Sequence, residues 1–385
     1  MVAKSTEPLR PYQLDSYAYL PSDSKMLRRA NVANQVGTAL IRAVALWGLV
    51  AALATPARAA PAPAPLLQVV RAQAAVAYRG EQIVVAWNGA TRADASLVRI
   101  EHDPPAWTRL DYVPLGPSRR WTVIRSGTVE LRFDPLQLTG TTGRAGVDED
   151  DFEAARLPWL LQNYRVVTAQ DALLGRKATR LELAPVAHDR PTHRLTVDDE
   201  TGVVLRSERA GPDGSLGEVT AFLKFEIMPV GWRRGAVIPS GLHLTPREPV
   251  RAASAADIVR VLGGPPAGVA VPAGFHKTGE YLTGDGPVVQ TIYSDGLSTL
   301  VVYERRGSVA SPPQGSQVVA TPSGPIWVQR LGLRTLVHWS HTGRVLTMVG
   351  EVSRPSLLAA AERTGIASAP RLWDRLLAWL QELIP

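Results

Sequence analysis

The sequence predicts an α+β protein built mainly on antiparallel sheet, in two domains. Three observations lead there. First, residues 174–225 hold three or four segments that alternate apolar and polar side chains and are joined by tight turns. Second, the 385 residues contain 32 glycines and 31 prolines, a turn density that suits sheet better than helix bundles. Third, the run of strand patterns is broken only by short helical stretches and by one long, heavily punctuated interval between residues 240 and 271.

From the start, Met26-Leu27-Arg28-Arg29, an apolar run over 43–54 and Ala57-Arg58-Ala59 follow the charged, apolar and small-residue order of a secretory signal peptide. About a dozen apolar residues fall short of the roughly 20 that a spanning helix needs. Cleavage near Ala59 is therefore expected, with residues 1–59 the leader. Residues 1–25, polar and unlike a charged leader, point to a true start at Met26. Residues 60–65 alternate alanine and proline as a stiff spacer.

A first domain is expected over 66–239. It begins with a short helix at 66–75 and strands at 77–87, 97–102, 107–113, 121–126 and 128–133, separated by turn residues such as Asn88-Gly89 and Gly116-Pro117. Asp148 to Asp151 precede a helix at 152–164, where acids favour the helix start and Pro158 can split the element. The meander follows with strands at 176–183, 193–197, 203–207 and 218–225, turned by Asp198-Asp199-Glu200-Thr201-Gly202 and Gly211-Pro212-Asp213-Gly214. Residues 240–271 are drawn as a linker, with one short helix at 254–259. A smaller domain over 272–385 carries strands at 275–281, 287–293, 297–304, 316–320, 326–330, 335–340 and 345–349, then helices at 357–366 and 372–384. Its sheet is expected to be mixed. No internal repeat appears.

The net charge of +7 is less telling than it looks. Setting aside the seven Lys/Arg and three acids of residues 1–59 leaves 35 against 32, too slight an excess for a phosphate-binding surface, so nucleic acid is not an expected partner. Cysteine is absent, which excludes thiolate metal sites and attachment of a lipid through cysteine. No Gly-x-Ser-x-Gly, phosphate-binding loop, dinucleotide fingerprint or His-Glu-x-x-His occurs, and the expectation is a binding protein without cofactor or metal. His338 and His341 lie three apart, one in a strand and one in its turn, and Asp148 to Asp151 have no calcium-loop spacing. Tyr293-Ser294-Asp295-Gly296-Leu297 reads as a hairpin turn. Large aromatics stand out more: Trp87, Trp107, Trp121 and Phe133 crowd one predicted sheet, enough to line an apolar cavity that Trp159 and Leu160 could close.

Several segments in order resemble one family. They are Gly175-Arg176-Lys177-Ala178, Leu181-Glu182-Leu183-Ala184-Pro185, His193 to Asp198, Thr201 to Ser207 and Phe222-Leu223-Lys224-Phe225, with Tyr78 to Val85 and Val98 to His102 upstream and Val271 to Phe275 and Tyr293 to Ser298 downstream. Together they resemble the MucB/RseB family, and the likeness spans most of the chain after the leader. It implies a curved antiparallel half-barrel covering helices, similar to lipoprotein carriers, with an apolar concave face for lipid or acyl chains. It further implies a soluble periplasmic or extracytoplasmic protein that binds the extracytoplasmic part of a membrane-anchored anti-sigma factor and modulates its proteolysis under envelope stress. The alternative is a lipid or lipoprotein carrier on the same half-barrel.

Overall fold

A computed structural model describes residues 63–87, 93–105, 107–144, 154–233, 238–247, 250–283, 288–309 and 315–364. The leader, the predicted start at Met26, the Asp148 to Asp151 run and the helix expected at 372–384 lie outside them.

The first half of the chain gives α1 (Ala64–Ala75), then β1 (Ala77–Trp87), β2 (Ala93–Asp103), β3 (Trp107–Pro114), β4 (Trp121–Ser126), β5 (Val129–Asp134) and β6 (Thr139–Arg144). A 3₁₀ turn, Ala154–Arg156, leads into α2 (Leu157–Asn163), whose first turn takes Pro158 where its missing N–H costs nothing. The predicted helix over 152–164 therefore starts later, at Leu157, and its last residue, Tyr164, already belongs to β7 (Tyr164–Leu173). Then follow β8 (Arg176–Pro185), β9 (Thr192–Asp198), β10 (Val204–Ala210), β11 (Leu216–Met228) and β12 (His243–Pro246). These strands form one open, curved twelve-stranded sheet in the order β12-β6-β5-β4-β3-β2-β1-β11-β10-β9-β8-β7. Every pairing is antiparallel except β12 with β6. β6 carries no apolar side chain, and at Gly140 a side chain would lie 2.3 Å from the Arg132 carbonyl, so close approach to β5 favours glycine there.

The second sheet contains β13 (Val250–Ala252), β14 (His276–Thr283), β15 (Val288–Ser294), β16 (Thr299–Arg306), β17 (Gln317–Thr321), β18 (Gly324–Leu331), β19 (Arg334–His341) and β20 (Arg344–Gly350). Helix α3 (Ala255–Leu262) falls between β13 and β14, and α4 (Arg354–Glu362) follows β20. The order is β13-β14-β15-β16-β20-β19-β18-β17. The mixed sheet expected here is corrected by the register: all seven pairings are antiparallel. Short turns join nearly all successive strands, and a parallel neighbour would need a crossover of a dozen or more residues. The stretch drawn as a linker carries β12 on the first sheet and β13 and α3 on the second.

Core placement follows the alternation. Leu181, Leu183, Leu195 and Val197 turn one face of the first sheet inward against Leu66 and Val69 of α1 and Leu160 of α2. Ile100, Leu205 and Phe222 continue that inner face around Ala72. In the second sheet Leu300, Val302, Val328, Val337, Leu346 and Met348 pack on Leu357, Ala360 and Ala361 of α4.

Candidate functional site

Register decides which of the sequence-selected aromatics can meet. Trp107 pairs with Asp103 and Ser126, Ser126 with Val129, and Trp87 with Ala93, so side-chain alternation sets Trp87, Trp107 and Phe133 on one face. Trp121 pairs with Tyr112, in step with Leu110, and stands on the other, inner face. Phe133 is buried beside Gly140, while Trp107 lies under the Arg233 guanidinium at 5.5 Å. Trp159 and Leu160 are elsewhere again, on α2. Leu160 is fully buried in the inner core, and Trp159 stacks on His276 of the second sheet with ring centroids 4.8 Å apart and planes 16° apart. The inner face itself is occupied by α1, which starts at Pro63 without a side-chain cap.

What the sequence reading missed is the joint between the sheets. Its centre is Arg190, in the turn between β8 and β9, with only 1% of its side chain exposed. Arg190 donates from Nη1 to Asp295 Oδ2 at 2.8 Å, from Nε to Asp189 Oδ1 at 2.9 Å and from Nη2 to the Ala273 carbonyl at 2.7 Å. Its guanidinium also covers the Phe275 ring at 4.7 Å. Asp295, wholly buried, accepts the Tyr164 hydroxyl at 2.9 Å on Oδ2 and the backbone N–H groups of Leu297 and Ser298 on Oδ1. Asn163 donates from one amide nitrogen to both the Gly274 and Asp295 carbonyls, at 3.0 and 2.9 Å.

This is the Tyr293-Ser294-Asp295-Gly296-Leu297 turn, and it does more than reverse the chain. Gly296 has φ of +106°, and a side chain there would stand 2.3 Å from the Leu160 backbone nitrogen. Only glycine lets the turn seat against α2. Leu297 then packs into the first sheet's inner core. Around the rim, Ser353 N donates to the Asp189 carbonyl at 2.6 Å, Arg209 links Glu218 and Glu351 at 2.7 and 3.2 Å, and Arg330 meets Asp213 at 3.3 Å.

The electrostatics are those of a closed site. Burial, then the neighbouring Asp295 charge, pushes the Tyr164 phenol well above its ordinary value. Burial opposes the charge of Arg190, but the Asp295 and Asp189 carboxylates outweigh it and hold its pKa above the usual arginine value. The buried charges of Arg190 and Asp295 are paired with each other, which is the condition for burying charge at all.

The outer face of the first sheet offers a different surface. A trough of about 400 Å³ lies over β7 to β10, between Asp171, Arg180, Glu182, Arg194, Arg206 and Glu208. Arg194 reaches Glu182 at 3.1 Å and Glu208 at 4.0 Å, and Arg206 also pairs with Glu208. Among the described residues no group of three or more His, Cys, Asp or Glu is placed to hold a metal ion, and no helix is long and apolar enough to cross a membrane.

Residues 144–245 match the family model of the MucB/RseB N-terminal domain. No curated protein sequence matches the chain. Among solved structures, a chain of the Pseudomonas aeruginosa MucA/MucB complex is similar at 17% identity, over 77% of this chain and 95% of that one, with a TM-score of 0.51. MucB in complex with MucA(peri) gives 17% identity over 77% and 96%, TM-score 0.48. A LolA superfamily protein from Nitrosomonas europaea gives 7% over 74% and 89%, TM-score 0.20. The first of these establishes a shared fold across both sheets.

Proposed function

From the match of residues 144–245 to the MucB/RseB N-terminal domain, we propose that the chain is an exported regulatory protein of that family. It binds the extracytoplasmic part of a membrane-anchored anti-sigma factor and modulates that factor's proteolysis under envelope stress. The domain match is the observation that carries this reading. It is supported by the shared fold with a chain of the MucA/MucB complex.

The stress signal in this proposal is a lipid or lipoprotein acyl chain on the inner apolar face. Entry requires α1 to give up its place against Leu181, Leu183 and Leu195. The uncapped start of α1 favours that exchange, because a helix of 12 residues draws its stability from packing. The same apolar face favours a lipid carrier as the second reading.

A pull-down from membranes with residues 60–385, with lipid extracted from the same sample, tests both. Recovery of a single-span anti-sigma factor is the expected result. Recovery of lipid or acylated protein alone would overturn the regulator in favour of the carrier.

A further inference from the structure

Four strands stand at sheet edges, and three of them are short: β12 has four residues, β13 three and β17 five. Short edges are one way proteins avoid unwanted strand pairing. β7 is different, with ten residues, and most of its length is exposed, Val167 to 61%.

The hydrogen-bond phase shows which groups it presents. Val186 N donates to the Asn163 carbonyl at 2.8 Å, flanking the Tyr164/Pro185 pair, so the odd-numbered residues of β7 turn their N–H and C=O groups to β8. The even-numbered ones turn theirs to the open edge. Ala172 N agrees, since it is taken at 2.8 Å by the Asp171 carboxylate and not by β8. That carboxylate closes one end of the edge. The backbone groups of Val166, Thr168 and Gln170 have no partner among the described residues. Residues 166–170 are Val-Val-Thr-Ala-Gln, a strand-favouring run with neither proline nor charge to deter pairing.

The outer face beside this edge carries charge information. Arg180 stands between Ala169 on β7 and Thr196 on β9, neither acidic, and it has no ion pair among the described residues, whereas Arg194 and Arg206 in the same trough are paired. The cross-strand neighbour of Arg180 on β7 is the small Ala169, and a strand added outside β7 would lie two spacings, about 9.6 Å, from β8, within reach of paired long side chains.

We infer that β7 is a docking edge, on which an extended segment of the anti-sigma partner adds a thirteenth strand to the sheet and sets an acidic side chain against Arg180. Backbone pairing supplies the attachment, and Arg180 and the exposed Val167 supply the choice of side chains. The inference rests on the proposed function, because it names where that partner sits.

The test uses the full mature chain and the extracytoplasmic segment of the single-span protein recovered from membranes, expressed alone. Binding is read by calorimetry and contact by amide hydrogen exchange. On binding, exchange at Val166, Thr168 and Gln170 should slow at least about tenfold while β17 is unchanged. R180E should weaken binding about tenfold and R180K should largely restore it. Binding with protection elsewhere and none on β7 would overturn the docking edge and leave the regulator standing. Protection of β7 without the segment, rising with protein concentration, would assign the edge to a second copy and also overturn it. Failure to recover any anti-sigma segment would remove the regulator itself and the docking edge with it.

Discussion

The inner face of the first sheet and the joint beside it bury residues equally deeply by opposite means. On the inner face, Leu181, Leu183 and Leu205 are fully buried against other apolar side chains, and any one contact can be replaced by another of similar volume. In the joint, Arg190 and Asp295 are as deeply buried, but each is tolerable only because the other is there. The first kind of burial is graded and forgiving; the second is conditional, and it is what fixes one sheet against the other.

Removing one half of the ion pair is the strongest way to break that comparison. D295A leaves the Arg190 charge buried and strips acceptors from Tyr164, Leu297 and Ser298, and should cost about 3–5 kcal/mol. In urea, the two sheets should then unfold in separate transitions, followed by tryptophan fluorescence. Replacing both residues, R190M with D295L, should be milder than D295A alone. A double variant as damaged as the single one would show that the charges themselves are not the source of the cost.

L181A tests the other side. It opens a cavity in the inner core and should cost about 2–5 kcal/mol, with the spread set by how far α1 can settle into the space. Unfolding should remain a single transition at a lower midpoint. A split transition here would mean that the inner face, and not the joint, couples the sheets.

This difference also explains what the sequence could disclose. Strands whose one face meets the core were legible with their bounds, β1 and β4 among them, because alternation reports burial directly. β7 was not, since an edge strand exposed on most of its length has no alternation to display. The joint was hidden for another reason: Arg190 and Asp295 are 105 residues apart and each sits in what reads locally as a turn. Tyr293 to Leu297 did read as a hairpin turn, and it is one, but nothing local announces that Asp295 looks across to Tyr164. Which aromatics share a face depends on hairpin register, which is not written in local sequence. Whether Trp121 shares a side with Trp107 is settled by the pairing of Tyr112 with Trp121, which the intervening turn determines.

Smaller, pH-dependent effects should divide along the same line. Burial lowers the pKa of His102 in the first sheet and of His338 in the second, the latter with help from Arg305. For a base held neutral, the unfolded chain binds more protons, so this stability is present above the ordinary value of 6.5 and is lost as pH falls below it through the depressed native value. Tyr164 has the opposite sign. Its neutral phenol is favoured in the native joint, so stability should fall as pH rises above the ordinary value of 10.0. Denaturation midpoints across pH 5 to 11 read both, and H102F should flatten the acid limb only in part because His338 remains. A rise in stability above pH 10 would contradict the assignment of Tyr164 as donor to Asp295.

The least effect is expected from Arg330, which pairs with Asp213 across the rim of the joint while both side chains remain 52% exposed. R330A removes a guanidinium that water and salt already satisfy, so the change should lie within about 0.5 kcal/mol and vanish in about 1 M salt. The D295A penalty should persist in that salt, because ions screen exposed pairs and not a carboxylate sealed against Arg190. If the two variants lost comparable stability, position in the joint would matter more than burial, and the sheets would be held by the number of cross-links. If only D295A is costly, the joint is a single buried switch point, and anything that draws the Tyr293 to Leu297 turn from its seat releases the second sheet in one step.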